Sequence, residues 1–301
     1  MLDVCLLGTA GMVPLKNRWL TSLYVSEGNH AVLIDCGEGT QIALSEAGCR
    51  VKNIDVICIT HFHQDHIGGL AGVLLMMSNA NRTEDVTLIG PPGLIDVVQK
   101  LLVCASPSFR LLASETLETD AVSQAGNIEI QPFPVDHVIP CLGYTLTVHR
   151  KGKFDPDKAK KLGIPLNAWS ILQRGESVKI DDQIIHPEQV IGPPRKGLKV
   201  LYSTDTRPAD SIIQAGKNAD LMILEGNYAS DQDIEKAKKW KHMTFSEAAG
   251  LAKKAEAKEL WLTHFSQSII CPEEFQENAV SVFPNTIIGR DGMQKTLKFE
   301  N

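Results

Sequence analysis

The feature that most constrains this 301-residue chain is a cluster of histidines directly after an apolar segment. The run Ile54-Asp55-Val56-Ile57-Cys58-Ile59 predicts a buried β-strand, because short apolar runs rich in β-branched residues are typical of strands in a sheet core. Thr60-His61-Phe62-His63-Gln64-Asp65-His66 follows it and places three imidazoles and one carboxylate within six positions. We therefore expect a fold in which the end of this strand presents those side chains together.

This loop has the composition of a catalytic metal site. Alternate residues of an extended segment point to opposite sides, so His61 and His63 can face one way and Asp65 and His66 the other. One loop can then bind two metal ions. Imidazole and carboxylate suit Zn²⁺, with Mn²⁺ or Fe as alternatives, and the absence of cysteine from the loop disfavours a closed structural zinc site. A polar surface loop is the competing interpretation, which such a cluster at a strand end disfavours.

The chain resembles the ribonuclease Z (tRNA 3′-endonuclease) family of the metallo-β-lactamase superfamily. The HxHxDH pattern of residues 61–66 marks the superfamily, and further segments in the same order mark the family: Leu7-Gly8-Thr9 with Pro14 and Arg18, Asp35-Cys36-Gly37-Glu38-Gly39-Thr40-Gln41, Ser203-Thr204-Asp205-Thr206-Arg207 and Leu262-Thr263-His264-Phe265-Ser266. The likeness runs from residue 2 to about residue 290. It implies an α/β fold, the four-layer αβ/βα sandwich of that superfamily, with an inserted protruding arm.

The resemblance implies two divalent metal ions, with Zn²⁺ expected and Mn²⁺ or Fe as alternatives. Their ligands would be His61, His63, Asp65, His66, His137, Asp205 and His264. Asp205 would bridge the ions and hold them roughly 3.5 to 4 Å apart, the separation that two-metal hydrolysis needs. Asp35 would fix the metal loop by hydrogen bonds, a helix N-cap being its alternative or additional role.

The resemblance also implies the catalytic residues Asp65, Glu225 and His242. Two cations bring the pKa of a shared water near neutrality and polarise the phosphoryl oxygen, and Asp65 would orient that water. His242 would give a proton to the leaving 3′ oxygen while Glu225 orients its ring. Helix capping is the structural alternative for the turn at His242. Together these roles describe an in-line attack on a phosphodiester.

Residues 150–199 are predicted to form an inserted arm within a single domain that spans residues 1–301. This segment carries 11 Lys and Arg against 6 Asp and Glu, whereas the remainder carries 19 against 30. Its Gly- and Pro-marked, weakly apolar sequence is unlike a compact core. In the family the arm grips tRNA, which makes Lys151, Lys153, Arg195 and Lys196 expected RNA contacts, although a solvated charged face is the alternative.

Two further arginines are candidate substrate contacts. Arg18 lies in the loop that approaches the RNA 3′ end in the family, and Arg207 either binds substrate phosphate or supports its own loop. The family pattern is altered at several nearby and distant positions: Trp19 replaces Asn, Leu166–Ala168 alters the arm tip, Leu224 replaces the His before Glu225, and Gln267–Ile269 replaces an Arg-Tyr pair.

These departures leave three hypotheses for function. The first is an endoribonuclease that trims the 3′ trailer of precursor tRNA. The second keeps the metal chemistry on a small phosphodiester, a cyclic nucleotide, or another ester or lactone. The third is a non-catalytic RNA-binding protein, which seven intact ligand positions oppose.

Composition limits the partners and the compartment. A net charge of −6 excludes a non-specific nucleic-acid coat, since such binding depends on a basic surface. No uninterrupted run of 18 apolar residues and no signal peptide is evident, so we expect no membrane partner and a cytoplasmic location. The seven scattered cysteines lack CxxC spacing and predict reduced core residues. The family resemblance implies a homodimer.

Overall fold

Two seven-stranded sheets form the centre of the protein, one built mainly from each half of the chain. The structure is a computed structural model, and it describes residues 1–104, 106–119, 121–180 and 183–300. In the first half the elements are β1 (Leu2–Gly8), β2 (Ser22–Glu27), β3 (His30–Ile34), α1 (Thr40–Glu46), β4 (Ile54–Cys58), α2 (Gln64–Ile67), α3 (Leu70–Asn79), β5 (Val86–Gly90), α4 (Leu94–Leu101) and β6 (Leu111–Glu115). The strand predicted before the histidine cluster is confirmed as β4.

The second half repeats the alternation of strands and helices. Its elements are β7 (Ser123–Ala125), β8 (Ile128–Pro134), β9 (Leu142–Arg150), α5 (Pro156–Lys161), α6 (Leu166–Arg174), β10 (Val178–Ile180), β11 (Gln183–Ile185), β12 (Arg195–Ser203), α7 (Asp210–Gly216), β13 (Leu221–Glu225), α8 (Ile234–Trp240), α9 (Phe245–Lys254), β14 (Leu260–Thr263), α10 (Glu277–Val280), β15 (Thr286–Ile288) and β16 (Met293–Leu297).

Each sheet contains a parallel section whose strand ends carry the polar side chains of interest. The first sheet has the order β16-β1-β2-β3-β4-β5-β6, and the strands from β3 to β6 are parallel. The second has the order β15-β14-β13-β12-β9-β8-β7, with β12 to β15 parallel. Side chains that follow the carboxyl ends of parallel strands meet at one edge of a sheet, where α/β proteins form their sites.

Helices cover the outer faces of both sheets. In β1, residues that point to either side of the sheet are buried. Cys5 and Leu7 belong to the same apolar cluster as residues of α1, α3 and α4. A second cluster joins strands of the other sheet with α7, α9 and α10. Between the sheets, the Tyr144 hydroxyl donates to the carbonyl of Ile59 at 2.7 Å and ties β9 to the end of β4. The αβ/βα sandwich is therefore confirmed.

A smaller unit is formed by residues 149–197 with the last described residues, Phe299 and Glu300. It has its own apolar cluster, which consists of Ala159, Ile164, Ala168, Leu172, Ile185 and Val190. Residues 181 and 182 of the predicted arm lie outside the described residues. At the altered tip, Leu166 begins α6 and is exposed, whereas Ala168 is buried. The altered tip is therefore part of a folded helix.

The remaining composition-based predictions have mixed outcomes. Cys5, Cys36, Cys58 and Cys141 are buried free thiols as predicted, whereas Cys49 is only partly buried and Cys271 is exposed and so is not a core residue. The side chain of Cys104 lies outside the described set. Within the described ranges, none of the helices has the length and apolar character that crossing a bilayer requires.

Candidate active site

The metal loop, residues 60–68, begins immediately after β4 and changes conformation halfway along. His61 and His63 lie in its extended part, with Nε2 of His61 3.0 Å from Nδ1 of His63. Asp65 and His66 lie in the single turn of α2, where Nε2 of His66 is 3.5 Å from Oδ2 of Asp65. Strand-like alternation therefore does not explain how the second pair is presented, because a helical turn brings these adjacent residues to the same side.

Three histidines and one carboxylate form the first cluster. Nε2 of His137 lies 3.4 Å from Nδ1 of His63, next to the His61 contact just described. Oδ2 of Asp205 is 3.7 Å from Nε2 of His61 and 3.9 Å from Nε2 of His137. The four ligand atoms all lie within 4.8 Å of one another, a spacing that one cation can bridge.

The second cluster consists of Asp65, His66 and His264. Nε2 of His66 lies 3.2 Å from Nε2 of His264, and both nitrogens are within 3.5 Å of Oδ2 of Asp65. Oδ1 of Asp205 is 3.2 Å from the His66 nitrogen and 3.1 Å from the His264 nitrogen. Asp205 thus presents one oxygen to each cluster, the arrangement of a bridging ligand.

A hydrogen bond with Asp35 orients the His66 ring so that Nε2 faces the second cluster. Nδ1 of His66 lies 2.8 Å from Oδ2 of the fully buried Asp35, so a proton belongs on Nδ1, and Nε2 is the nitrogen that can bind a cation in the neutral ring. Asp35 also accepts from the amide of Thr60 at 2.8 Å and from its hydroxyl. Asp35 therefore links the metal loop to the end of β3.

Three further imidazoles have a contact at the ring nitrogen outside the clusters. Nδ1 of His61 is 3.0 Å from the Thr60 hydroxyl, and Nδ1 of His137 is 3.3 Å from the carbonyl of Lys241. The Asn227 side-chain amide is 3.2 Å from Nδ1 of His264. Each contact occupies the nitrogen that faces away from the clusters.

These donor sets fit two divalent cations. Ring nitrogens that face one another at 3.0 to 3.2 Å must share either a proton or a cation, because two bare lone pairs at that distance repel. Oδ1 of Asp205 is buried without a hydrogen-bond partner in the described part of the chain, although two imidazole nitrogens lie beside it. Such an oxygen is expected to accept from a cation, because buried polar atoms are rarely left unpaired. The backbone of Asp205, with φ of 39°, is held in a left-handed conformation that non-glycine residues seldom adopt.

The ionisation of the site favours cation binding. Burial raises the pKa of Asp205, but the imidazoles of His264, His66 and His61 outweigh it and hold that pKa well below its usual range. The same balance of burial against His66 and His264 lowers the pKa of Asp65. Burial lowers the pKa of His61 well below its usual value, which keeps its ring neutral. Burial lowers the pKa of His66, but the carboxylates of Asp205, Asp35 and Asp65 outweigh it and raise that pKa well above its usual value. Ionised carboxylates and neutral imidazoles are the forms that bind metal, so a cation has to displace a proton from this ring.

His242 and Glu225 form a separate pair beside the clusters. Nδ1 of His242 is 3.2 Å from Oε2 of Glu225, which is fully buried at the end of β13, and 4.0 Å from Oδ2 of Asp205. Burial lowers the pKa of His242, but the Glu225 carboxylate outweighs this by attraction and hydrogen bonding and raises it to about 9. Glu225 also accepts from the amides of Thr206 and Met243. The pair thus places a protonated imidazole next to the bridging carboxylate.

The two candidate arginines have protein partners. The guanidinium of Arg18 donates to the carbonyls of Ile269 and Ile270 at 2.8 and 2.7 Å. The guanidinium of Arg207 donates to the carboxylate of Glu247 and to the carbonyl of His242. Phosphate binding by either side chain stays a prediction, and it would have to share donors with these contacts.

The basic residues predicted in the arm lie within the smaller unit. Lys151, Lys153 and Arg195 line one surface cavity of about 470 Å³ together with Phe154. Arg195 also donates to the carbonyl of Lys151 at 3.0 Å, which connects the two ends of the unit. Lys196 is exposed. Their role as RNA contacts stays a prediction.

Two of the altered family positions have structural explanations. Trp19 is partly buried, and its indole donates to Glu46 at 3.0 Å while its ring lies against Gly39. Leu224 is fully buried in the apolar cluster of the second sheet. Both residues therefore pack against neighbouring parts of the protein. In the third altered segment, Gln267 is exposed and Ile269 is buried.

Sequence reasoning missed two groups that hold ligands in place. The Asn227 amide contacts His264, and the backbone amide of Met12 donates to Oδ2 of Asp65 at 2.7 Å. The only signal for Asn227 was its place two residues after a strand that ends in Glu225, where polar side chains reach the same sheet edge. No side-chain pattern can reveal the Met12 contact, because its backbone makes it.

Comparisons with known proteins agree with this geometry. A family model described as anti-Pycsar protein Apyc1 matches residues 2–162, and one described as a beta-lactamase superfamily domain matches residues 177–265. The ribonuclease Z of Agathobacter rectalis is 48% identical over 301 residues, covering 100% of this chain and 99% of the relative. That of Lachnospira eligens is 49% identical over 303 residues, with the same coverage. The crystal structure of the short form of human tRNase Z covers 99% of this chain and 100% of its own, with 22% identity and a TM-score of 0.70.

Proposed function

This chain belongs to the ribonuclease Z family, and from this premise we propose how its residues carry out the reaction. The protein is a metal-dependent endoribonuclease that processes the 3′ ends of precursor tRNA. The proposal rests mainly on the position of Asp205. Its carboxylate presents one oxygen to each of two histidine clusters.

We propose Zn²⁺ as the metal, with Mn²⁺ or Fe as alternatives. His61, His63 and His137 would hold one ion, Asp65, His66 and His264 the other, and Asp205 both. Neutral imidazoles with carboxylates and no thiolate support this assignment, because that donor set is typical of catalytic zinc. When bound, such ions lower the pKa of water and polarise a phosphoryl oxygen.

Asp65 also orients the attacking water in this proposal. Its Oδ2 accepts from the Met12 amide, which fixes the carboxylate against rotation at the mouth of the second cluster. A carboxylate held in this way can accept a hydrogen bond from water and direct one of its lone pairs toward phosphorus.

His242 acts on the opposite side of the scissile bond as the general acid. Because Glu225 raises its pKa to about 9, the imidazole is protonated at neutral pH and can give a proton to the departing 3′ oxygen. The carbonyl of His242 is held by Arg207, and its ring by Glu225. Two independent contacts therefore fix the proton donor relative to Asp205.

Cleavage of a 3′-extended precursor tRNA by the purified, metal-loaded protein tests this function. We expect release of the trailer by the native protein and loss of release in His63→Ala, which removes a ligand of the first cluster. Intact substrate with both proteins would contradict the proposal. Turnover of bis(p-nitrophenyl) phosphate without affinity for tRNA would instead support the small-phosphodiester alternative.

The remaining assignments stay predictions. We propose that the arm, residues 150–199, docks tRNA, supported by its basic excess. Deleting it should weaken cleavage of precursor tRNA and spare turnover of bis(p-nitrophenyl) phosphate. The homodimer is proposed from the family resemblance. The cytoplasmic location is proposed from the composition.

A further inference from the structure

A basic and aromatic strip lies directly beside the proposed general acid. We define it as Tyr228, Lys236, Lys239 and Trp240. Helix α8 ends at Trp240, and Lys241 then adopts a left-handed conformation with φ of 59° that turns the chain toward His242. The last residue of an exposed helix is thus separated from the proposed general acid by a single residue.

Three of the four side chains of the strip, those of Lys236, Lys239 and Trp240, belong to α8. Residues three and four positions apart are neighbours on a helix surface, which groups Lys236 with Lys239 and Trp240. Nζ of Lys239 lies 4.9 Å from the centroid of the Trp240 ring. Ala237 is the buried residue of α8, and Trp240, three positions further on, lies at the edge between that buried side and the exposed lysines.

Exposure of Trp240 is the unusual feature. Its side chain is 55% exposed, whereas Trp261 is 2% exposed and lies in the core. Tyr228 lies beside the site, since its ring centroid is 6.4 Å from that of His242 in an edge-on orientation. The strip therefore extends from the proposed general acid to an exposed indole.

Lys239 has an uncompensated charge. Lys236 pairs with Asp233 at 2.6 Å, Lys238 with Glu235 at 2.8 Å, and Lys241 with Asp136 at 2.9 Å. In the part of the chain that the structure describes, no carboxylate lies within salt-bridge distance of Lys239. Its ammonium is therefore available to a phosphate on a protein whose net charge is −6.

We propose that this strip binds unpaired nucleotides of the RNA next to the scissile phosphodiester, a base stacking on Trp240 and a phosphate pairing with Lys239. The inference rests on the proposed function. Exposed aromatic rings flanked by cations are how proteins hold single-stranded RNA, because every base has a face that can stack and every linkage carries a negative charge. Positioning of this kind would place the scissile bond beside His242.

Kinetics on two substrates test the proposal. Trp240→Ala should raise KM for 3′-extended precursor tRNA about tenfold, the order expected for loss of one base–aromatic stack, and Trp240→Phe should restore most of it. Lys239→Ala should raise KM less and weaken its dependence on salt, because one phosphate contact is lost. Lys100→Ala, at an exposed lysine of α4 that pairs with Asp96, is the control and should leave KM unchanged. An unchanged KM in Trp240→Ala would overturn the proposal.

Fluorescence separates failure of this inference from failure of the proposed function. A short single-stranded oligoribonucleotide should quench the emission of Trp240, and the quenching should vanish in Trp240→Phe and be weak with duplex RNA. This measurement needs no cleavage, so it decides the inference even if precursor tRNA is not a substrate. Quenching that persists in Trp240→Phe would contradict it. A change in sedimentation in Trp240→Ala without any effect on RNA would assign the strip to self-association instead.

Discussion

Nδ1 of His242 lies 3.2 Å from Oε2 of Glu225, a carboxylate that is fully buried. Burial alone would lower the pKa of this imidazole, and the carboxylate instead raises it to about 9. The protonated form is therefore favoured below that pH and is lost above it. The contact with Glu225 explains how His242 can stay protonated at neutral pH beside a metal-binding cluster.

Replacing the carboxylate should narrow the pH range of activity. Glu225→Gln keeps the side-chain volume and one acceptor but removes the charge, so the pKa of His242 falls and the basic limb of kcat/KM for precursor tRNA moves to lower pH. Cations held by Asp205 would lower this pKa in both enzymes, so the two profiles are compared at equal metal content. An unshifted basic limb would show that His242 is not the titrating acid.

Removing the imidazole should affect the two substrates differently. His242→Ala should lower kcat for precursor tRNA by about 10² to 10⁴, the usual contribution of general acid catalysis. Turnover of bis(p-nitrophenyl) phosphate should fall far less, because its leaving group is a stable anion that needs no proton. Equal losses on both substrates would mean that His242 supports the metal clusters rather than the leaving oxygen.

Loss of Asp35 should weaken metal binding without removing a ligand. Asp35→Asn can no longer fix the proton on Nδ1 of His66 by charge, and groups in this position typically contribute about 10- to 100-fold in metal affinity. Competition with a chelator would measure the change. Asp55→Asn, at a partly buried carboxylate that pairs with His30 and Arg82, is the control and should bind metal normally.

Arg207 should prove to be a positioning residue. Its guanidinium makes a fork-like contact with Glu247 and holds the carbonyl of His242, and lysine cannot reproduce that geometry. Arg207→Lys should therefore lower the free energy of unfolding by about 1 to 3 kcal/mol, the cost of losing hydrogen bonds to a charged group. Chemical denaturation measures this. If stability is unchanged while KM for precursor tRNA rises, Arg207 binds substrate phosphate instead.

The location of the site could be predicted from sequence because strong local signals mark it. The apolar run that forms β4 and the four polar residues after it indicated a strand end with metal ligands, and the structure brings all four to the clusters. His137 and His264 carried no local pattern of their own. They were found through the family resemblance, and the sheet topology explains why they meet.

Other features could not be predicted, since they depend on contacts distant in sequence. Asp65 and His66 share a helical turn rather than extended backbone. Asn227 reaches His264 across 37 positions, and Arg207 reaches Glu247 across 40. The exposure of Trp240 depends on how α8 rests on the protein through Ala237, which no periodic pattern in so short a helix can indicate.

Anomalous diffraction from crystals grown with zinc tests the central claim most directly. We predict two zinc ions, roughly 3.5 to 4 Å apart, each bound by one oxygen of Asp205. One ion should contact His61, His63 and His137, and the other Asp65, His66 and His264. A single ion, or two ions without Asp205 between them, would contradict the account.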